Sequence, residues 1–386
     1  MPFREAATEV TYSHQTSVSE ATCRRYTYRH GQAAEAVAQQ EPSLATGTEP
    51  SEPPEKMMFS VDGSFIHLTH GEWREIKSIA IGEFGDKDEK GTTDEVKTTN
   101  LSYFTRCFNV REFEQDALAE FQRRRVEEAK TVVTVNDGAL WIQNFVDYHC
   151  PTATRILDFP HALSYVGDAG KIIWGDDSDT FPQWFARCAN QLKHKPPQHT
   201  LAEIKLRYPK AQNDQQIADL DRVHLYLQRR QELIDYPFFQ KRGYPIGSGC
   251  VESGHKVVVQ RRLKGAGMRW AEDHVNPLLA LRDLICNDHW QTGWQDSVTY
   301  QQQQKNQKRR QRVQAKQPQP SEPITFKALE ATGQLPPLPT KKTKETYSNN
   351  SNPEDKRVVW RPAEDHPWKQ NIWPSQEAHR WSYQKK

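Results

Sequence analysis

The chain has 386 residues, with 35% apolar, 26% charged, 24 prolines and a formal net charge of +2. Its mean hydropathy of −0.89 leaves too few core formers for a chain folded throughout, so one sizeable central core with loosely built ends is expected. The near-zero charge makes local distribution the question rather than bulk basicity; the six cysteines form no CxxC pair, which excludes a zinc ribbon and a disulfide framework.

Residues 1–39 carry a helical pattern in which Ser17 or Ser19 can cap a helix bearing Ala21, Arg24, Arg25, Tyr26 and Arg29 and stopping at His30-Gly31. Its basic face predicts half of a helix-turn-helix DNA-binding segment. Residues 40–56 read as a linker. From Met57 to Leu68 the texture is strand-like, followed by strands over 73–83 and Thr98–Arg106. Residues 85–97, charged and glycine-containing, read as a turn. Residues 111–130 take helical spacing, with Phe113, Ala117 and Phe121 on one face. The β-branched run Thr131–Val135 predicts a buried central strand ending at Asn136-Asp137-Gly138. A helix with Trp141, Phe145 and Tyr148 and a short strand at Thr154–Leu157 follow.

This β-β-β-α-β-α-β order predicts an α/β fold: an RNase H-like core with a five-stranded mixed sheet, order 3-2-1-4-5, and helices on both faces. Its first part spans 57–160. A helical insertion covers 161–243, and further helices over 250–264 and 274–288 complete the core within 244–290. Residues 291–386, with a Gln run and a basic stretch from Lys305 to Lys316, are expected to be a disordered tail.

In that sheet order strands one and four are neighbours, so Asp62 and Asp137 share one edge. Paired carboxylates bind hard divalent cations, and two such ions serve phosphodiester chemistry. Each acid also has a structural reading. Asp62-Gly63 and Asn136-Asp137-Gly138 are turn signals. Glu252 suits a helix start and stands four residues before Lys256. Gly247-Ser248-Gly249 offers backbone N–H groups to a phosphate, and Lys256, Arg261, Arg262, Lys264 and Arg269 form a dense basic group suited to DNA phosphates.

The stretch from Tyr244-Pro-Ile-Gly-Ser-Gly-Cys-Val-Glu252 to Lys256, continuing through Arg261-Arg262-Leu263-Lys264-Gly-Ala-Gly-Met-Arg269-Trp270, resembles the catalytic-glutamate block of ISKra-type insertion-sequence transposases, within the DDE superfamily. Val61-Asp62-Gly63, Glu72-Trp73-Arg74-Glu75-Ile76-Lys77 and His366-Pro367-Trp368 are also similar to that family. The resemblance implies metal-dependent hydrolysis and strand transfer on transposon ends and target DNA. It implies two Mg2+ or Mn2+ ions held by Asp62, Asp137 and Glu252, and a homo-oligomer assembled on DNA. Asp158 is the alternative second acid, and Asp158-Phe-Pro-His161 resembles an accessory Asp-x-x-His motif. No signal peptide and no membrane-spanning run are read in the sequence, which predicts a cytoplasmic, nucleoid-associated protein. Residues 1–39 are shorter than the N-terminal region of that family. The alternatives are therefore an RNase H-like nuclease that does not join DNA and a truncated, inactive DNA-binding remnant.

Overall fold

The structure is a computed structural model that describes residues 2–40, 52–85, 96–175 and 179–315. Five strands form one sheet: β1 (Lys56–His67), β2 (Trp73–Phe84), β3 (Thr98–Arg106), β4 (Thr131–Asn136) and β5 (Thr154–Leu157). Their order is β3-β2-β1-β4-β5, as expected. The first three pair antiparallel, and β4 runs parallel to both β1 and β5.

Alternation along β1 divides the core. Met57, Phe59 and Val61 face a cluster with Phe113, Phe121 and Phe145. Those rings lie on two helices, Val110–Arg123 and Leu140–His149. The first is opened by a capping box in which Asn109 and Glu112 satisfy each other's backbone amides. Met58 points the opposite way, joining Val133 and Val135 of β4 against the helices after β5. Helices thus cover both faces. The insertion contains five, at Phe159–Trp174, Thr180–His194, Pro197–Lys205, Asp214–Gln228 and Tyr236–Lys241.

In chain order the helices are α1 (Phe3–His14), α2 (Glu20–Ala38), α3 (Val110–Arg123), α4 (Leu140–His149), α5 (Phe159–Trp174), α6 (Thr180–His194), α7 (Pro197–Lys205), α8 (Asp214–Gln228), α9 (Tyr236–Lys241), α10 (Gly249–Gly254), α11 (Arg261–Leu263), α12 (Val275–Cys286) and α13 (Trp290–Ala315). A π-helical stretch, His255–Gln260, joins α10 to α11. π-turns insert a residue into a helix and recur at functional sites.

Two expectations are corrected at the ends. Ser19 does cap α2, accepting from the Thr22 amide, but Gly31 does not stop it. The helix runs to Ala38 because His30, Gly31, Ala33 and Ala34 are its buried face. Gly31 is required there: a Cβ would stand 2.3 Å from the Pro277 carbonyl oxygen of α12. α1 and α2 therefore pack within the first compact unit, Met1–Gln317. The expected disorder from 291 is also wrong as far as Ala315, since Trp290–Ala315 is one helix. Its first turns are pinned by Trp294 stacked on His30 at 4.3 Å and by a Gln301–His30 contact of 2.9 Å. The linker from 41 to 51, most of the expected turn (86–95) and the tail from 316, including His366-Pro367-Trp368, lie outside the described residues. Among the described residues no helix is long and apolar enough to cross a membrane. All six cysteines are free thiols.

Candidate active site

The ladder between β1 and β4 ends at Phe59 opposite Thr134. Continuing that parallel register by three residues (59 + 3, 134 + 3) brings Asp62 opposite Asp137. A buried bond supports the continuation: the Val61 amide donates to Asn136 Oδ1 at 2.6 Å. By alternation both acids continue the Met58, Val133 and Val135 side of the sheet. Asp62-Gly63 does not form a turn; β1 continues to His67, with Asp62 opposite Ser78 of β2.

Asp62 is held in place. Its Oδ1 accepts from the Gly63 amide at 2.7 Å, and its Oδ2 lies 3.3 Å from Nδ1 of His255. His255 is 5% exposed. Its Nε2 is buried without a hydrogen-bond partner among the described residues, which leaves Asp62 as the ring's polar contact. Glu252 stands three residues earlier, on the exposed side of the segment whose buried side carries His255; its side chain makes no hydrogen bond or ion pair among the described residues. The contact between Asp62 and His255 thus brings the glutamate-bearing segment onto β1.

Asp137 follows β4 and is half-buried. One oxygen accepts from the Ala139 amide at 2.9 Å, a local turn that opens the approach to α4. The next residue is clamped from the insertion: Arg230, just beyond α8, donates to the Gly138 carbonyl at 3.2 Å. Its guanidinium lies over the Tyr226 ring at 3.8 Å. A Cβ at 138 would stand 2.1 Å from the Tyr226 hydroxyl, so Tyr226 would have to shift to admit one.

Asp158 has a different environment. It is 5% exposed. Its Oδ2 accepts from the His161 amide at 2.9 Å, capping α5, and its Oδ1 accepts from the Ser248 amide at 2.7 Å. The Phe159 amide also donates to Ile246 at 2.9 Å. Asp158 therefore ties the start of α5 to the loop that enters α10. The His161 ring turns away from Asp158: Nε2 lies 3.1 Å from the Tyr226 hydroxyl. Tyr226 in turn stacks on Tyr165 at 3.8 Å. Burial raises the Tyr226 phenol above its usual range, so it stays protonated at neutral pH.

The expected phosphate-binding amide of Ser248 is corrected by the same contact, because Asp158 already accepts it. The basic group is present on the surface. Lys256, Arg261 and Arg269 are exposed and make no side-chain hydrogen bond or ion pair among the described residues. Lys264 donates to Ser64 Oγ at 2.6 Å, two residues along β1 from Asp62. Burial lowers the Lys264 pKa, while the nearby Asp62 charge opposes the shift. Arg262 lies over Trp270 at 4.8 Å.

The three acids are all hard oxygen donors, the type that holds Mg2+ or Mn2+. Asp137 and Glu252 each keep a carboxylate oxygen free of hydrogen bonds among the described residues. The side chains are not drawn together into a cage, however. Among the described residues no three His, Cys, Asp or Glu side chains converge closely enough to hold a metal ion. Glu252 is exposed, with a side chain unpaired among the described residues. His255, Tyr226 and Arg230 escaped the sequence reading. His255 carried a usable signal, its i, i+3 spacing from Glu252; Tyr226 and Arg230 reach the site only through tertiary packing. No model of a known protein family matches the chain, and no curated protein matches it in sequence.

Proposed function

We propose that the chain is a DDE-type DNA transposase built on an RNase H-like core, cutting and joining DNA at the ends of an insertion sequence. The observation that carries this reading is the adjacency of the parallel strands β1, which bears Asp62, and β4, whose end precedes Asp137, with Glu252 three residues before the histidine that touches Asp62. The sheet order β3-β2-β1-β4-β5 with helices on both faces supports the RNase H-like assignment.

In this reading Asp62, Asp137 and Glu252 hold two Mg2+ or Mn2+ ions, which when bound favour the attacking oxygen and stabilise the leaving one. His255 and the Gly63 amide fix the Asp62 carboxylate from either side. Arg230 fixes the backbone just after Asp137. Asp158 acts as a latch that sets the loop before Glu252, with no direct part in the chemistry. Lys256, Arg261, Arg262, Lys264 and Arg269 bind DNA phosphates and align the strand. Such contacts give affinity that falls steeply with salt and is largely indifferent to sequence.

The test is to incubate the full chain and Mg2+ with labelled duplexes carrying the boundaries of its encoding element, together with a target plasmid. The expected products are a free 3′-OH at the element end and, later, that end joined to the plasmid. Cleavage without joining would replace transposase by nuclease. Binding without cleavage would reduce the chain to a DNA-binding remnant.

A further inference from the structure

A second concavity, of about 710 Å³, lies between the N-terminal helices and the 262–274 segment. Its volume falls within the range of roughly 300–1,000 Å³ typical of sites that enclose a small ligand. Phe3 and Arg24 come from the N-terminal helices, Arg262 and Arg269 from the basic block, and Trp270 and His274 from the loop before α12.

Four arginines, Arg4, Arg24, Arg262 and Arg269, line this concavity against two carboxylates, Glu5 and Glu20. Glu20 is occupied by two arginines, Arg4 at 3.7 Å and Arg24 at 2.5 Å. Arg262 and Arg269 have no carboxylate partner among the described residues. The Arg262 guanidinium is held between two rings, 5.0 Å from the Phe3 centroid and 4.8 Å from that of Trp270. Burial lowers its pKa, with Arg282 nearby adding to the cost. An anion entering here would relieve it, and a phosphate matches the fork of a guanidinium.

The rest of the lining suits a base. Tyr28 stacks on His274 with centroids 3.7 Å apart and planes 10° from parallel. The Tyr28 hydroxyl makes no hydrogen bond among the described residues, and burial raises its pKa. Aromatic rings beside the Arg269 guanidinium, which has no partner among the described residues, are groups that recognition of an unstacked nucleotide uses.

The pocket is also coupled to the acids. β1 leads from Asp62 to His67, and the next residue, Leu68, forms a parallel bridge with Trp270. Six residues of strand at ~3.3 Å each span about 20 Å, or about six base steps of one DNA strand at 3.4 Å. Lys264, on Ser64, lies on the way.

We propose that this pocket captures one nucleotide of the bound DNA, swung out of its stack, with its phosphate on Arg262 and Arg269 and its base against the aromatic wall. The proposal rests on the transposase reading for the identity of the strand, but the capture itself needs no catalysis.

The experiment compares binding of fluorescein-labelled pentathymidylate and a five-unit abasic strand of equal charge to the full chain, read by anisotropy. Pentathymidylate should bind at least about fivefold tighter, since stacking one base contributes about 1–3 kcal/mol. Arg269→Ala, at an exposed and unpaired position, should remove at least tenfold of the pentathymidylate affinity. Arg262→Gln should do the same. Lys130→Ala, which deletes an exposed cation elsewhere, should change it less than threefold. Equal binding of the two strands, or an Arg269→Ala variant that binds like the parent, would overturn the pocket. Pocket binding with no cleavage of element ends would sink the transposase reading and leave the pocket standing; cleavage with no base preference would do the reverse.

Discussion

Replacing Asp158 separates a latch from a catalytic acid. Its two oxygens each accept one backbone amide, from His161 at 2.9 Å and Ser248 at 2.7 Å, in a site only 5% exposed. Hydrogen bonds to a charged group contribute about 1.5–3 kcal/mol each, so the pair contributes about 3–6 kcal/mol. Losing the helix cap alone costs about 1 kcal/mol. Asp158→Ala should therefore cost about 3–5 kcal/mol, a large share of a native stability of about 5–15 kcal/mol. Asp158→Asn keeps one acceptor oxygen and should lose about half as much. Asp137 accepts one local amide at a half-buried position, so Asp137→Asn should cost less than about 1 kcal/mol. The assay is urea unfolding of the variants, with amide hydrogen exchange across α5 and the 246–248 loop. An Asp158→Ala variant that unfolds at the parent's midpoint, with unchanged exchange in α5, would refute the latch and return Asp158 to contention as the second acid.

Acid should destabilise the fold through His149. Burial against Phe121 and Phe145 lowers its pKa from 6.5 to about 4. The unfolded chain then binds a proton below about 6.5 that the folded chain takes up only near 4. Stability should fall by about 3 kcal/mol as pH drops through that window and stay level above it. His149→Phe should flatten that part of the curve in urea titrations at pH 7 and 4.5; an unchanged slope would count against the assignment. Replacing His255 tests its positioning of Asp62. His255→Ala should slow DNA cleavage about 10–100-fold, the usual effect of losing a partner that orients a ligand. The Mg2+ concentration giving half-maximal rate should rise, and His255→Gln, which keeps an N–H donor, should recover part of the loss. A rate that follows only the unfolding midpoint would make His255 a packing residue.

The sheet was legible because its signals are local. β3 and β5 fall where the sequence placed them, and the β-branched run of β4 extends by a single residue to Asn136. The adjacency of β1, which bears Asp62, and β4, which leads to Asp137, followed from strand order alone. Alternatives that depended on partners were not legible. The amide contacts of Asp158 were not legible, because its donors, His161 and Ser248, come from a helix start and a loop 90 residues away. His161 looked like its companion, yet its ring is drawn to Tyr226 across the insertion. The N-terminal helix was cut short at Gly31 because glycine usually marks a helix end; here it is a packing contact with Pro277. The C-terminal helix was missed because it lacks an apolar stripe. Its Gln, Lys and Arg residues are good helix formers, and its first turns are anchored by His30 and Trp294.

The central claim is that Asp62, Asp137 and Glu252 serve one metal-dependent strand-cleaving site. Its most direct test is the single-turnover cleavage rate of an element-end duplex in Mg2+ for Asp62→Asn, Asp137→Asn and Glu252→Gln beside the parent chain. Each acid is asked to supply several kcal/mol of transition-state stabilisation, and about 4 kcal/mol corresponds to roughly 10³-fold. The account predicts a loss of that size for all three, with unfolding midpoints within about 1 kcal/mol of the parent's and DNA affinity retained. Cleavage within tenfold of the parent rate in Asp62→Asn or Glu252→Gln would contradict it.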